Sequence, residues 1–131
     1  MYPPVLFNGV QARAIASGFA KTILRTGCVI HACAILPDHV HLVLRRHRYS
    51  MQEVVNLLKG NATAMLREEG IHPLAPYADK NKPLPSPWSH GHWMVYIDNE
   101  SYLRAAVKYV NDNPMKEGKR KQNWKLVTPL E

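Results

Sequence analysis

The sequence predicts an α+β domain in which one antiparallel sheet carries helices packed on it. Three observations lead there. Segments with helical spacing and short strand-like runs follow one another in the order α-β-β-α-loop-β-α. Two of the strand-like runs are separated only by Pro37-Asp38, which makes them a hairpin rather than a helix-linked parallel pair. The chain has 131 residues, about one domain, enough to bury a core without disulfide or metal staples.

Taken in order, residues 8 to 26 (NGVQARAIASGFAKTILRT) read as a helix. Asn8 can cap its start, its apolar residues recur at helical spacing, and Gly27 can stop it. CVIHACAIL and HVHLVL are the two strands of the hairpin. SMQEVVNLLKGNATAMLREEG is a second helix, with Ser50 and Glu53 as a capping box and Gly70 at the C-terminal stop. Residues 71 to 91 contain five prolines and form a long irregular loop. HWMVYI alternates and reads as a third strand. DNESYLRAAVKYVNDN is a third helix, capped by Asp98 or Asn99 and ended by Pro114 at about Asn113. A basic tail follows, and residues 1 to 131 are expected to form a single domain. No internal repeat is visible.

The formal net charge is +7 and the sequence pI about 9.6, a balance that favours a polyanionic partner. The basic residues fall in two runs, RRHRY at 45–49 and KEGKRKQNWK at 116–125. No apolar run approaches the roughly 20 residues of a membrane span, and the N-terminus does not read as a signal peptide. Cys28 and Cys33 are the only cysteines. Their spacing fits neither a zinc site nor a disulfide framework, so two reduced thiols in a cytoplasmic protein are expected.

The chemistry concentrates in ILPDHVHLVL. On a strand, successive side chains face opposite ways. Val40, Leu42 and Leu44 therefore share the core face, while His39, His41 and Val43 share the other. Two imidazoles side by side suit a divalent metal but do not complete its site. By themselves they read more readily as polar residues on a half-exposed sheet face. His31, His47, His90 and His92 do not cluster with them and are expected at the surface. On the third helix the core stripe is Leu103, Ala106, Val107 and Val110. Tyr109 lies off it, with Asn113 four residues on and so on the same face. A tyrosine phenol, with its pKa near ~10, is a poor nucleophile at neutral pH, and a divalent metal beside it can polarise a phosphate for attack. The product would be a phosphotyrosine ester, which conserves the energy of the broken phosphodiester and suits strand transfer better than hydrolysis.

LPDHVHLVL resembles the HUH signature of single-tyrosine HUH transposases of the insertion-sequence 200/605 type. VKYVNDNPMKEG resembles the tyrosine helix and following Asn-Pro segment of the REP-associated tyrosine transposases within that type. NLLKGNATAML and SPWSHGHWMVYI resemble its middle helix and its Trp-bearing lead into a late strand. The resemblance spans about residues 10 to 127 and implies a ferredoxin-like HUH endonuclease fold. It implies Tyr109 as the nucleophile on single-stranded DNA, keeping the 5′-phosphate. His39, His41 and Asn113 would be ligands of Mg²⁺ or Mn²⁺, and the substrate would be a single strand beside a hairpin. Arg45, Arg46, Arg48, Lys119 and Arg120 are candidates for DNA contacts. Members of the family build the site within one chain or across a homodimer. One departure is expected to matter. The family's sheet begins with a strand before the first helix, and MYPPVLF is a poor substitute, as in a fragment, a late gene start or a decayed copy. The absent strand would leave an exposed edge beside the histidine strand, and the alternative reading is an inactive relative that binds DNA hairpins.

Overall fold

The computed structural model describes residues 4–79, 81–88, 92–97 and 102–130. Helix α1 (Gly9–Thr26) leads into strands β1 (Ile30–Ile35) and β2 (His39–Leu44). Helix α2 (Met51–Glu68), a single 3₁₀ turn at Ala75–Tyr77, strand β3 (His92–Ile97) and helix α3 (Leu103–Lys116) follow. The α+β class and the order of elements are as the sequence predicts.

Local chemistry accounts for the boundaries. Asn8 Oδ1 accepts the Gln11 N–H at 2.8 Å and Gln11 Oε1 accepts the Asn8 N–H at 2.9 Å, a reciprocal capping box that starts α1. Gly27 ends it in the left-handed region (φ 72°), its N–H donating to Ile23 O. At α2 the expected box is only half formed. Ser50 Oγ accepts the Glu53 N–H, but the Glu53 carboxylate accepts a hydrogen bond from the Ser50 hydroxyl rather than from the Ser50 N–H. Helix α3 also differs from expectation, because it continues through Pro114 to Lys116. A proline there removes one N–H near the end of the ladder, and burial of Asn113 and Pro114 holds the last turn in place. The chain turns only at Gly118 (φ 73°), where the Lys119 N–H donates to Pro114 O. The proposed caps Asp98 and Asn99 lie outside the described residues, as does His90.

The sheet order is β1-β2-β3. β1 and β2 pair antiparallel, from Ile35↔Val40 to Ile30↔Leu44, around the Pro37-Asp38 turn. β3 joins β2 in parallel register, His39↔His92 to Leu44↔Ile97, so the sheet is mixed rather than wholly antiparallel. The reason is topological. α2 and the proline-rich loop carry the chain back to the end of the sheet where β2 began, and a strand entered from there must run the same way. The histidine strand is therefore central and paired on both sides, and the exposed edge expected beside it does not occur. Residues 4–8 form no strand. Instead the Phe7 N–H donates to Pro37 O, and the Phe7 ring packs on Trp88.

Each sheet face has its own cover. Val40, Leu42 and Leu44 point to the side of Ile15 and Phe19 of α1 and Leu58 and Ala62 of α2. Burying each such large aliphatic side chain is worth roughly 1.5–3 kcal/mol. On the other face Ala32, Ala34 and Val43 meet Ala106 and Val110 of α3. The small alanines let α3 lie close to the sheet, on the side that carries His39 and His41. Cys28 and Cys33 are buried and unbridged, and burial pushes the Cys33 thiol far above its ordinary pKa, which keeps it inert.

The open edge of β1 is covered by the tail. Gln122 acts there as a stand-in for a strand residue, accepting the Ile35 N–H and donating to Ile35 O, both at 2.8 Å. The Thr128 N–H donates to Ile30 O. The register irregularity between Ile30 and Ala32 turns His31 into the structure, where its Nδ1 lies 2.8 Å from Thr128 O. His31 is thus buried rather than at the surface, as the bulge breaks the alternation that would have placed it.

His72, just after α2, is also buried, and its Nδ1 accepts the Leu74 N–H at 3.1 Å. Desolvation, then the nearby Arg67, lowers its pKa from the ordinary 6.5. The unfolded chain therefore binds a proton more readily, so this contribution to stability is complete above about pH 6.5 and is lost as the pH falls below it. In EDTA the melting temperature should drop between pH 7 and pH 5. His72→Asn, which keeps an acceptor for the Leu74 N–H and cannot titrate, should flatten part of that drop. An unchanged pH profile in the variant would show that His72 does not contribute.

Candidate active site

His39 and His41 emerge from β2 on the α3 side of the sheet, as alternation requires. Their ring centroids are 4.8 Å apart. His41 is not on a half-exposed face. α3 covers it, leaving it 5% exposed. Burial first, and the neighbouring His39 second, push its pKa below the ordinary value, against an opposing pull from the Glu117 carboxylate. The ring is thereby held neutral at ordinary pH, the form that keeps a nitrogen lone pair available.

Tyr109 stands over this strand. Its ring centroid is 6.0 Å from that of His41 and 6.3 Å from that of Tyr96 on β3. It is 43% exposed, so the side chain is open to solvent while its ring lies beside the histidine face. Lys116, two turns further along α3, places its Nζ 4.8 Å from the Tyr109 centroid. One turn past Tyr109, Asn113 is buried. The structure thus brings His39, His41 and Tyr109 together within one chain, with Asn113 buried one turn along the same helix.

Two polar atoms at this place are buried and have no hydrogen-bond partner among the described residues, His41 Nδ1 and Asn113 Oδ1. Leaving such a group unsatisfied costs about 1–3 kcal/mol, so each is free to take a bound ion or an ordered water. A nitrogen and an amide oxygen, with a second imidazole alongside, suit a divalent cation of the Mg²⁺ or Mn²⁺ kind.

Two carboxylates complete the surroundings, and neither stands out in the sequence. Asp38, read there only as a turn residue, lies with Oδ1 2.5 Å from His39 Nδ1. Glu117 lies with Oε2 3.0 Å from His39 Nε2. Asp38, His39 and Glu117 can each offer one ligand atom, all within 4.8 Å of one another. A signal for Glu117 did exist. Tyr109, Asn113 and Glu117 are spaced four apart, one face of a helix, but only if the helix continues past Pro114.

The five basic candidates are exposed and divide into two places. Lys119 and Arg120 follow Glu117 after Gly118 and line a groove of about 530 Å³ with Arg13, Lys121, Phe7 and Trp124. Arg45, Arg46 and Arg48 lie beyond the other end of β2, where Arg48 stacks on Tyr49. Six residues of strand separate His39 from Arg45, roughly 20 Å at ~3.3 Å per residue. The two runs therefore do not flank the site symmetrically.

The chain is thus a basic α+β domain whose His-x-His strand lies under a tyrosine-bearing helix. The comparison with protein families narrows this. The family described as "Transposase IS200 like" matches residues 4–113, and the chain belongs to that family. No curated protein and no solved structure gives a significant match. Among the described residues no helix is long and apolar enough to cross a membrane.

Proposed function

We propose that this transposase cleaves and rejoins single-stranded DNA with Tyr109 as nucleophile. A divalent cation, Mg²⁺ or Mn²⁺, would be held by His39, His41 and Asn113. One observation carries the reading: the Tyr109 ring lies 6.0 Å from the ring of a buried histidine whose Nδ1, like the Oδ1 of Asn113 one helical turn away, lacks a partner. The residues sit in one chain, which favours a site formed without a second subunit.

In the proposed step, Tyr109 Oη attacks the scissile phosphorus. The Oη–P bond forms as the P–O3′ bond breaks. The phenol proton passes to solvent, and the departing 3′ oxygen takes up a proton. The cation, when bound, supplies Lewis-acid polarisation of the phosphate. The chain's own residues do the rest. α3 holds the phenol over the histidine face, burial keeps His41 neutral, and the Lys116 ammonium draws the phosphodiester towards Tyr109. The 5′-phosphotyrosine keeps the ester's free energy, so a 3′-hydroxyl can attack it and restore or redirect the strand. The proposed substrate is a single strand beside a hairpin, in keeping with the resemblance to the REP-associated group. Lys119 and Arg120 would hold phosphates near the site, and Arg45, Arg46 and Arg48 would hold them at a distance.

The test is to incubate the protein with end-labelled hairpin oligonucleotides taken from repeats flanking the gene, with Mn²⁺, and to resolve the products on a denaturing gel. A retarded, protease-sensitive species that disappears in EDTA is expected. Salt-sensitive hairpin binding with no such species in either Mn²⁺ or Mg²⁺ would replace the enzyme by a DNA-binding relative.

A further inference from the structure

The family match ends at residue 113, one turn before the residue whose carboxylate touches His39. We infer that Glu117 is a fourth protein ligand of the cation, and that Asp38 is the hydrogen-bond acceptor that orients His39 for it. The inference rests on the reading of His39 as a ligand.

The geometry around His39 is specific. Carboxylate oxygens face both ring nitrogens, Asp38 at Nδ1 and Glu117 at Nε2. A neutral imidazole has one N–H and can donate to only one of them. The Nε2–Glu117 contact is held either by a second ring proton or by a cation lying beside both atoms. One ring offers one nitrogen to one metal. Nδ1 is taken by Asp38, which follows the common pattern in which a carboxylate accepts the second N–H of a metal-binding histidine and fixes its tautomer. Nε2 is left, with Glu117 Oε2 beside it. The Glu117 oxygen lies 3.0 Å from Nε2, near enough for both atoms to bind one cation. Asp38 is thus better placed as orienting partner than as ligand, although its oxygen is near enough to be counted with the other two.

The second line of support is independent of the carboxylates. His41 and Asn113 are 5% and 7% exposed, and each keeps an unpartnered polar atom. Glu117 acts electrostatically on His41 as well as bonding His39. His39, His41 and Glu117 therefore lie together between β2 and the end of α3, and Asn113 is buried one turn before Glu117. Adding a carboxylate to two imidazoles and an amide oxygen brings one negative charge and a hard donor, which shifts preference towards Mg²⁺ and Mn²⁺. It also explains why α3 must run past Pro114: a helix ending at Asn113 would not deliver Glu117 to His39.

The test is Mn²⁺ binding to the DNA-free protein by isothermal titration calorimetry, checked by the electron paramagnetic resonance signal of free Mn²⁺. Glu117→Gln should weaken binding about tenfold or more, and Asp38→Asn should also weaken it, as loss of an orienting partner does. If Glu117→Gln binds Mn²⁺ as tightly as the wild type, or more tightly, Glu117 is a latch that competes for His39 and the inference fails, while the nuclease reading stands. If the wild type binds no Mn²⁺ with or without DNA, the cation reading itself fails. Melting in EDTA checks the fold of the variant. Should Glu117→Gln not fold, Glu117→Asp decides: it keeps the charge but withdraws it by one methylene, so weakened binding is expected and unchanged binding overturns the inference.

Discussion

Replacing Tyr109 with phenylalanine should abolish the covalent DNA adduct and leave DNA binding and folding nearly unchanged. The substitution removes one oxygen. The ring, with its neighbours His41, Tyr96 and Lys116, keeps its place. The side chain is 43% exposed, so a stability change within about 0.5 kcal/mol is expected, as for a surface substitution. Adduct formation, by contrast, loses its nucleophile, and losses on the order of 10³-fold or more follow when such a group is removed. The adduct is read on a denaturing gel with Mn²⁺, and binding by a filter or anisotropy assay at fixed salt. The site contains a natural internal control, since Tyr96 lies 6.3 Å from Tyr109, centroid to centroid. An adduct that survives in Tyr109→Phe and vanishes in Tyr96→Phe would move the nucleophile to the sheet and overturn the reading.

What could be read from the sequence followed the reach of its physical signals. Alternation along HVHLVL put Val40, Leu42 and Leu44 on one face and His39 and His41 on the other, and the structure agrees. Helical spacing joined Tyr109 to Asn113. Neither signal shows what covers a face. The burial of His41 depends on α3 crossing the sheet, a tertiary fact that its own strand does not encode. Local rules also misled where packing outweighed them. Pro114 reads as a helix stop, yet burial against the sheet keeps the helix going to Lys116, and Glu117 was missed with it. His31 reads as a surface residue, yet a bulge turns it inward. The resemblance predicted a gap beside the histidine strand, but β3 fills it directly in parallel register. Strand partners are chosen by the path of the crossover, which a one-dimensional pattern does not contain. Exposure of the histidine strand therefore gives no ground for reading the chain as inactive.

Gly18→Ala should destabilise the protein, although alanine is the better helix former. Gly18 lies in the middle of α1, where it meets α2. A Cβ built there would fall 2.5 Å from Ala62 Cα, 2.6 Å from Ala62 N and 2.7 Å from the Asn61 carbonyl carbon. These are backbone atoms of a helix that is itself packed on the sheet through Leu58 and Ala62, so no side chain can swing aside. The helices must separate, and separation loosens Phe19 and Ile15 as well as the Asn61 to Thr22 hydrogen bond at 2.7 Å. Overpacking of this kind costs about 3 kcal/mol at the upper end of the usual range, and the gain in helix propensity returns only about 1 kcal/mol. The net loss, about 2 kcal/mol, corresponds to a fall of about 8 °C in melting temperature for a domain of this size. Gly60→Ala is the matched comparison. It too lies mid-helix, in α2, but it is exposed and nothing lies within 4 Å of its Cβ position. There propensity acts alone, and a gain of about 0.5–1 kcal/mol is expected. Thermal melts followed by circular dichroism should therefore show one glycine-to-alanine change lowering the transition and the other raising it. Should Gly18→Ala melt at or above the wild type, α1 and α2 do not approach as closely as described, and the placement of the sheet that carries His39 and His41 would have to be revised with them.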